Sequence, residues 1–355
     1  MSVTRVDPPR GSEPRPAGEP PPVSSKAQTA RHVVVVRELG VLAALLLLVL
    51  ITYAYNSRFL SEQSRHDLLL GASILVILAA GQTMVIITRN VDLSVGSLVG
   101  LIAFGTGKLL LEHPGTPLVV LLLLGMVAGA VAGAFNGALI ALAKVPALVI
   151  TLGTLYIFRS LDNLWAGGQQ INAADMPSSF LDFGTSGALG IPWLAWIALV
   201  VVIAVSYYLG SYRSGRELYA IGSDSDAARL SGVPTGRRIF TVFIVNGALT
   251  GLAGVLYAAR YGTLDATVGT GLELQVVAAA VVGGVAIFGG SGTAYGAALG
   301  ALLLTTIGNA LPVLHVSDFW QQAFVGALIL AAVGLDRLLV IRLSRQMKGR
   351  RAHGA

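Results

Sequence analysis

Two short polar segments interrupt a chain built mostly of Leu, Val, Ala and Gly. The first is Asn90-Val91-Asp92-Leu93-Ser94-Val95-Gly96, in which an acid stands two residues from an amide and two from a hydroxyl. The second is GRELYAIGSDSDAARLSGVPTGRRI, Gly215 to Ile239. Neither offers a nucleophile beside a base. The chain has no cysteine, which excludes disulfides, thiolate catalysis and thiolate metal sites. Its five histidines are scattered without ligand spacing, so no metal site is expected. A phosphate-cradling loop would read Gly-x-x-x-x-Gly-Lys-Ser/Thr. The nearest approach, Gly107-Lys108, has Ile102 where the first glycine should stand and Leu109 after the lysine. No catalytic residue, cofactor or nucleotide chemistry is therefore expected in this chain.

The second segment carries the signals of a short capped helix. Ser223 reads as the N-cap, and Asp226 three residues later completes a Ser-x-x-Asp capping pattern. Asp224 and Asp226 also suit the positive end of a helix dipole. Ala227, Ala228, Arg229 and Leu230 follow, then Gly232 as a left-handed stop and Pro234 beyond it. The expected helix has about two turns and is roughly 12 Å long at 1.5 Å per residue. A helix so short is marginal in water by itself, so something must hold it. Two readings are open: an amphipathic helix resting on lipid headgroups through Arg216, Arg237 and Arg238, or a rigid knob that docks into a soluble partner.

The elements around these segments follow from composition. Of 355 residues, 54% are hydrophobic and 12% charged, against about 25% charged in an ordinary soluble domain. Several apolar runs reach the ~20 residues that cross a bilayer. The expected fold is an all-α polytopic membrane protein. Hydropathy places ten spans, at 33–55, 67–88, 92–111, 117–143, 147–165, 192–211, 239–259, 272–289, 293–312 and 320–341. The organisation is a disordered, proline-rich tail over 1–31, a transmembrane domain over 32–342 with a polar loop at 212–238, and a basic tail over 343–355. The tail does not resemble a secretory signal. Basic residues orient the spans: with both termini cytoplasmic, 19 of the 24 Lys and Arg fall on the inside. That asymmetry accounts for the net charge of +6 through the lipid bilayer, with no nucleic acid required.

Within the spans the polar residues are few. Asp92 reads either as a pathway element, since an acid at membrane depth usually has a role, or as a helix cap paired with Arg89. Ser94 would satisfy early backbone donors of the third span. Gln82, Asn136, Asn246 and Asn309 read as hydrogen-bonding groups, joining helices or meeting a neutral solute. Arg159 is expected to face a pore, an acid such as Asp162, or the interface. Trp165 to Gln170 outside reads as a docking surface or an interfacial anchor. Glycines at four-residue spacing, such as Gly125, Gly129, Gly133 and Gly137, or Gly247 and Gly251, predict close helix packing.

Four stretches in order resemble the sugar-type permeases of bacterial ABC importers, the group handling ribose, xylose, rhamnose and autoinducer 2. They are GQTMVIITRNVDLSVGSLVGL at 81–101, VPALVITLGTLYIFRSL at 145–161, GRELYAIGSDSDAARLSGV at 215–233, and GTGLELQVVAAAVVGGVAIFGGSGTAYGAALGALL at 269–303. GTGLE, FGGSG and WAGGQQI are most similar to the autoinducer 2 and rhamnose branch. The resemblance covers about 35–340. It implies an inner-membrane permease working with two ATPase subunits, a periplasmic or lipid-anchored substrate-binding protein and a second permease copy, identical or homologous. It also implies that Ser223 to Gly232 form the helix that docks in the ATPase, with Arg216, Glu217 and Arg229 as polar contacts. Two other classes stay open on the residues alone. An ion-driven carrier would rely on Asp92, and an intramembrane enzyme has no constellation to support it.

Overall fold

The computed structural model describes residues 25–317, 319–331 and 334. Most of the proline-rich tail and all of the basic tail lie outside these residues. The helix α1 (Ser25–Tyr55) begins inside the segment assigned to the tail. It is followed by α2 (Glu62–Ile87), α3 (Val95–Glu112), α4 (Leu118–Ala143) and α5 (Ala147–Ala166). A short α6 (Ser178–Thr185) precedes a two-residue hairpin, Gly187–Ala188 with Ile191–Pro192. Then come α7 (Trp193–Ser211), α8 (Arg213–Ser223), α9 (Ser225–Leu230) and α10 (Thr235–Tyr261). Last are α11 (Leu272–Val282), α12 (Ala294–Val313) and α13 (Trp320–Ala331). Among the described residues the fold is all-α apart from that hairpin and one isolated β-bridge. Among the described residues, seven helices are long and apolar enough to cross a membrane: α1, α2, α3, α4, α7, α10 and α12.

The centre is α2. Of its most apolar window 94% is buried, against 6% for α1, so α2 is an axis and α1 an outer strut. Around α2 pack α7, α10, α11 and α12. Side chains cannot explain the tightest contact, that of α4 with α10. A Cβ added to Gly129 would lie 2.1 Å from the Gly247 carbonyl oxygen, and one on Gly247 would lie 2.2 Å from that of Gly129. The two backbones touch because both residues lack one, as the glycine spacing predicts.

Two expected spans change shape. The eighth does not continue to 289: α11 stops at Val282, so its helix is about 16 Å long at 1.5 Å per residue, short of the ~30 Å hydrocarbon core. Beyond it the chain turns through Gly284, Gly289, Gly290 and Gly292, all with positive φ. The third begins at Val95 rather than 92, because the Asp92 carboxylate accepts the Ser94 amide hydrogen and holds that turn out of the helix. At the far end of α3, Ile171 and Leu264 form a single antiparallel bridge that ties the two longest loops on that side.

Gly247→Ala is expected to destabilise the protein by about 1–3 kcal/mol through overpacking. The gain of up to about 1 kcal/mol in helix propensity does not cover that cost. Gly210→Ala, where no heavy atom lies within 4 Å of the new methyl, should be neutral or mildly stabilising. Thermal unfolding in detergent compares the two.

Candidate functional site

The polar segment forms two helices, not one. In α8, Gly215, Leu218 and Gly222 recur on one face and are buried with Ile221, leaving Arg213, Arg216 and Ala220 outside. The helix ends at Ser223, which is thus the last residue of α8 and not the N-cap of α9. Asp224 takes that role: its backbone is extended, with φ −159°, and its carboxylate accepts the amide hydrogens of Asp226 and Ala227, both at 3.0 Å. An acid that can bond its own downstream amides breaks the helix in two. The expected Ser-x-x-Asp box is absent for that reason. α9 then has six residues, with Arg229 paired to Asp226 at 2.7 Å on its surface. Gly232 closes it in the left-handed region at φ 82°, and the Val233 amide donates back to Ala228 at 3.0 Å. Ala228 faces inward and is buried, whereas Leu230 is 89% exposed.

Three anchors hold this pair of helices to the bundle. Glu217, near the start of α8, accepts from Arg238 of α10 at 2.6 Å and from Arg213 at 3.0 Å. Its carboxyl lies below the ordinary value of 4.5, chiefly because of Arg238. The Tyr219 hydroxyl donates to the Gly292 carbonyl at 2.9 Å, and burial pushes its pKa to about 12, so it keeps its proton. At the α8–α9 break, Arg89 donates to the carbonyls of Gly222 and Ser223. Arg89 is thus not the partner of Asp92. Arg216 caps α7 instead, donating to Ser211 at 2.9 Å and Gly210 at 3.3 Å.

Above this platform, four of the polar residues named from the sequence converge. Asp92 accepts from Ser94 Oγ at 2.6 Å and from Asn246 of α10 at 2.9 Å, while Asn136 of α4 donates to Ser94 Oγ at 3.0 Å. All four are buried. Ser94 therefore bonds side chains and gives no cap to its helix. Gln82 is buried in α2, with neither amide atom partnered. Asn309 is exposed and lies apart from the group. On the opposite side, Arg159 holds the carbonyls of Ala266 at 2.9 Å and Val268 at 2.6 Å, with Asp162 at 3.9 Å. Trp165 lies edge-on to Phe104. The sequence reading missed Arg213, Tyr219 and Arg238 as anchors, and no local pattern points to Tyr219 or Arg238, since their partners come from other elements. No group of three or more His, Asp or Glu is placed to hold a metal among the described residues.

Residues 64–333 match the family described as the branched-chain amino acid transport system permease component. The chain belongs to this family. It is a transport permease, a multi-pass protein of the inner membrane, and the import reading of the sequence prevails over an ion-driven carrier. Over 312 residues the permease is 38% identical to the autoinducer 2 import system permease LsrC of Salmonella paratyphi B, covering 88% of this chain and 89% of that one. It is 38% identical to LsrC of Enterobacter sp. strain 638 and 36% identical to that of Escherichia coli K12, in both cases over 88% of this chain and 90% of the relative. No solved structure matches.

The geometry makes two outcomes testable. Asp92→Ala leaves the Asn246 amide and the Ser94 hydroxyl without an acceptor, and each orphaned buried donor costs about 1–3 kcal/mol. Thermal unfolding of that variant should show a marked loss. The Glu217 anchor has a depressed pKa, so it is fully made above the ordinary carboxylate value and is lost as pH falls through the lowered one. Amide exchange across 213–235 should rise in Glu217→Gln at neutral pH, and in the parent only in acid.

Proposed function

We propose that this permease is the membrane subunit of an ATP-driven importer for a sugar-like solute of the autoinducer 2 kind. In this reading two ATPase subunits drive it, a substrate-binding protein feeds it, and a second permease copy completes the pathway. The family and the identity to LsrC chains support that assignment. The observation that carries the mechanism is α9. It is a capped helix anchored from behind, with Leu230, Arg229 and Asp226 exposed on its outer side. An exposed leucine flanked by charges at the tip of a rigid element fits a cleft in a soluble partner better than free water. Ser223, Asp224, Ala227, Ala228 and Gly232 shape this element, and Glu217 and Arg216 set its base.

The same reading completes the topology. α5, α11 and α13 bring the crossings to ten, with both termini in the cytoplasm. α11 crosses with the help of irregular glycine segments, which membrane depth tolerates where protein surrounds them, and Val276 to Val281 are buried. Asp92, Ser94, Asn136 and Asn246 bond one another, so their role is to join α3, α4 and α10 beside the pathway. Gln82 and Asn309, with amides free of one another, are the groups left for solute contact. An ion-driven carrier would need its acid open to the coupling ion, and both Asp92 oxygens are engaged.

The test is ATP hydrolysis by the reconstituted permease with candidate ATPase subunits, with and without loaded binding protein, across sugars and autoinducer 2. Stimulation by one solute is expected. Leu230→Asp should abolish co-purification of the ATPase while leaving thermal stability unchanged. Absence of association with every candidate ATPase would overturn the role given to α9.

A further inference from the structure

Arg89 has an unusual backbone for a large side chain. Its φ is 64°, in the left-handed region that residues with a Cβ rarely enter. It is the left-handed position of the Schellman cap that ends α2, in which the Arg89 amide donates to the Ile86 carbonyl at 2.9 Å and the Asn90 amide to that of Val85 at 3.3 Å. Here the conformation turns the guanidinium out from the end of α2 onto the break between α8 and α9. The Gly222 and Ser223 carbonyls it binds are the last of α8, where a helix dipole favours a cation.

The backbones meet at the same point. A Cβ on Gly222 would lie 1.8 Å from the Ile87 carbonyl oxygen, and that oxygen accepts from the Gly290 amide at 2.9 Å. A Cβ on Gly289 would lie 2.4 Å from Arg89 Cγ. The end of α2, the α8–α9 break and the turn leading into α12 thus form one three-way junction. Three residues past Arg89, Asp92 binds Asn246 of α10 and, through Ser94, Asn136 of α4. Arg89 to Asp92 is therefore a four-residue link with α8–α9 bound at one end and α4 and α10 at the other.

We propose that Arg89 is a positioning residue that transmits displacement of α8–α9 to the membrane helices. It pulls on α2 and, through the Asp92 link, on α4 and α10. This rests on α9 being the ATPase-docking element. Energetic coupling between distant sites runs through contiguous packed and hydrogen-bonded groups, and the Arg89 bonds with the four-residue link make one continuous route from the α8–α9 break to the buried polar cluster. The guanidinium reaches two successive carbonyls with separate nitrogens, which a single ammonium reproduces poorly.

The experiment compares Arg89→Gly, Arg89→Ala and Arg89→Lys in vesicles with the parent ATPase and binding protein. ATPase co-purification, ATP hydrolysis and solute uptake are read together. Arg89→Gly removes the guanidinium and relieves the backbone, whereas Arg89→Ala removes the guanidinium and keeps the strained φ. Both should retain the ATPase and lose about tenfold in solute moved per ATP, within the usual range of coupling free energies. Arg89→Lys should give an intermediate ratio, and it decides the question if the other two fail to accumulate.

A parent-like ratio in Arg89→Gly overturns the proposal, because backbone shape alone would then suffice. If only Arg89→Lys folds, a parent-like ratio there overturns it, because donation from two nitrogens to the two carbonyls would then not be needed. Loss of the ATPase from folded Arg89→Gly also overturns it, since the residue would then shape the docking surface. If the parent permease binds no ATPase, the docking assignment fails first and this proposal with it.

Discussion

Apolar side chains gain little by leaving lipid for one another, so a helix bundle in a bilayer needs other forces to choose its contacts. Backbone approach and buried hydrogen bonds supply them here. α4 and α10 meet where Gly129 and Gly247 remove the side chains that would hold them apart. α10 is then fixed in rotation by Asn246, which bonds the loop between α2 and α3. One contact sets distance and the other sets the angle. Leucines on the outer faces, such as Leu123, Leu124 and Leu142, are exposed and leave that geometry to the buried side.

Placing a carboxylate inside such a bundle is costly unless its lone pairs are filled. Asp92 meets that condition with three donors: the Ser94 amide, the Ser94 hydroxyl and the Asn246 amide. No cation takes part, since Arg89 points the other way. The acid therefore acts as a multi-point acceptor that gathers three helices, and the adjacent Arg89 acts as a multi-point donor that gathers the carbonyls of α8. The acid and the guanidinium stand three residues apart in the chain and serve opposite ends of the same short link.

Much of this architecture is legible in hydropathy. The limits of α4, α5, α7 and α12 agree with the expected spans to within one residue, because prolines and polar breaks bound those runs. α11 fails at its end, where Gly283 and its neighbours read as apolar yet carry the entropy cost that ends a helix. The polar segment was legible as capped, but its cap falls on Asp224. Ser and Asp are both good caps by composition, and Arg89 decides by drawing the Gly222 and Ser223 carbonyls into the end of α8. Asp92, Ser94, Asn136 and Asn246 could each be singled out as polar residues in apolar helices. Their convergence could not, since Asn246 stands 154 residues from Asp92, and Gly222 stands 133 from Arg89.

The length of α9 bears on mechanism. Six residues cannot sustain a helix in water, because nucleation is unfavourable and few bonds are gained after it. Its order must come from the Asp224 cap, the Gly232 closure and the platform beneath. That platform is attached at separate places: Glu217 to α10, Tyr219 to the turn before α12, and the α8–α9 break to α2. A segment tied at one point would swivel under a push and dissipate it. Attachments to α10, to the turn before α12 and to the end of α2 resist rotation of α8 about any one of them, so displacing α8 loads all three.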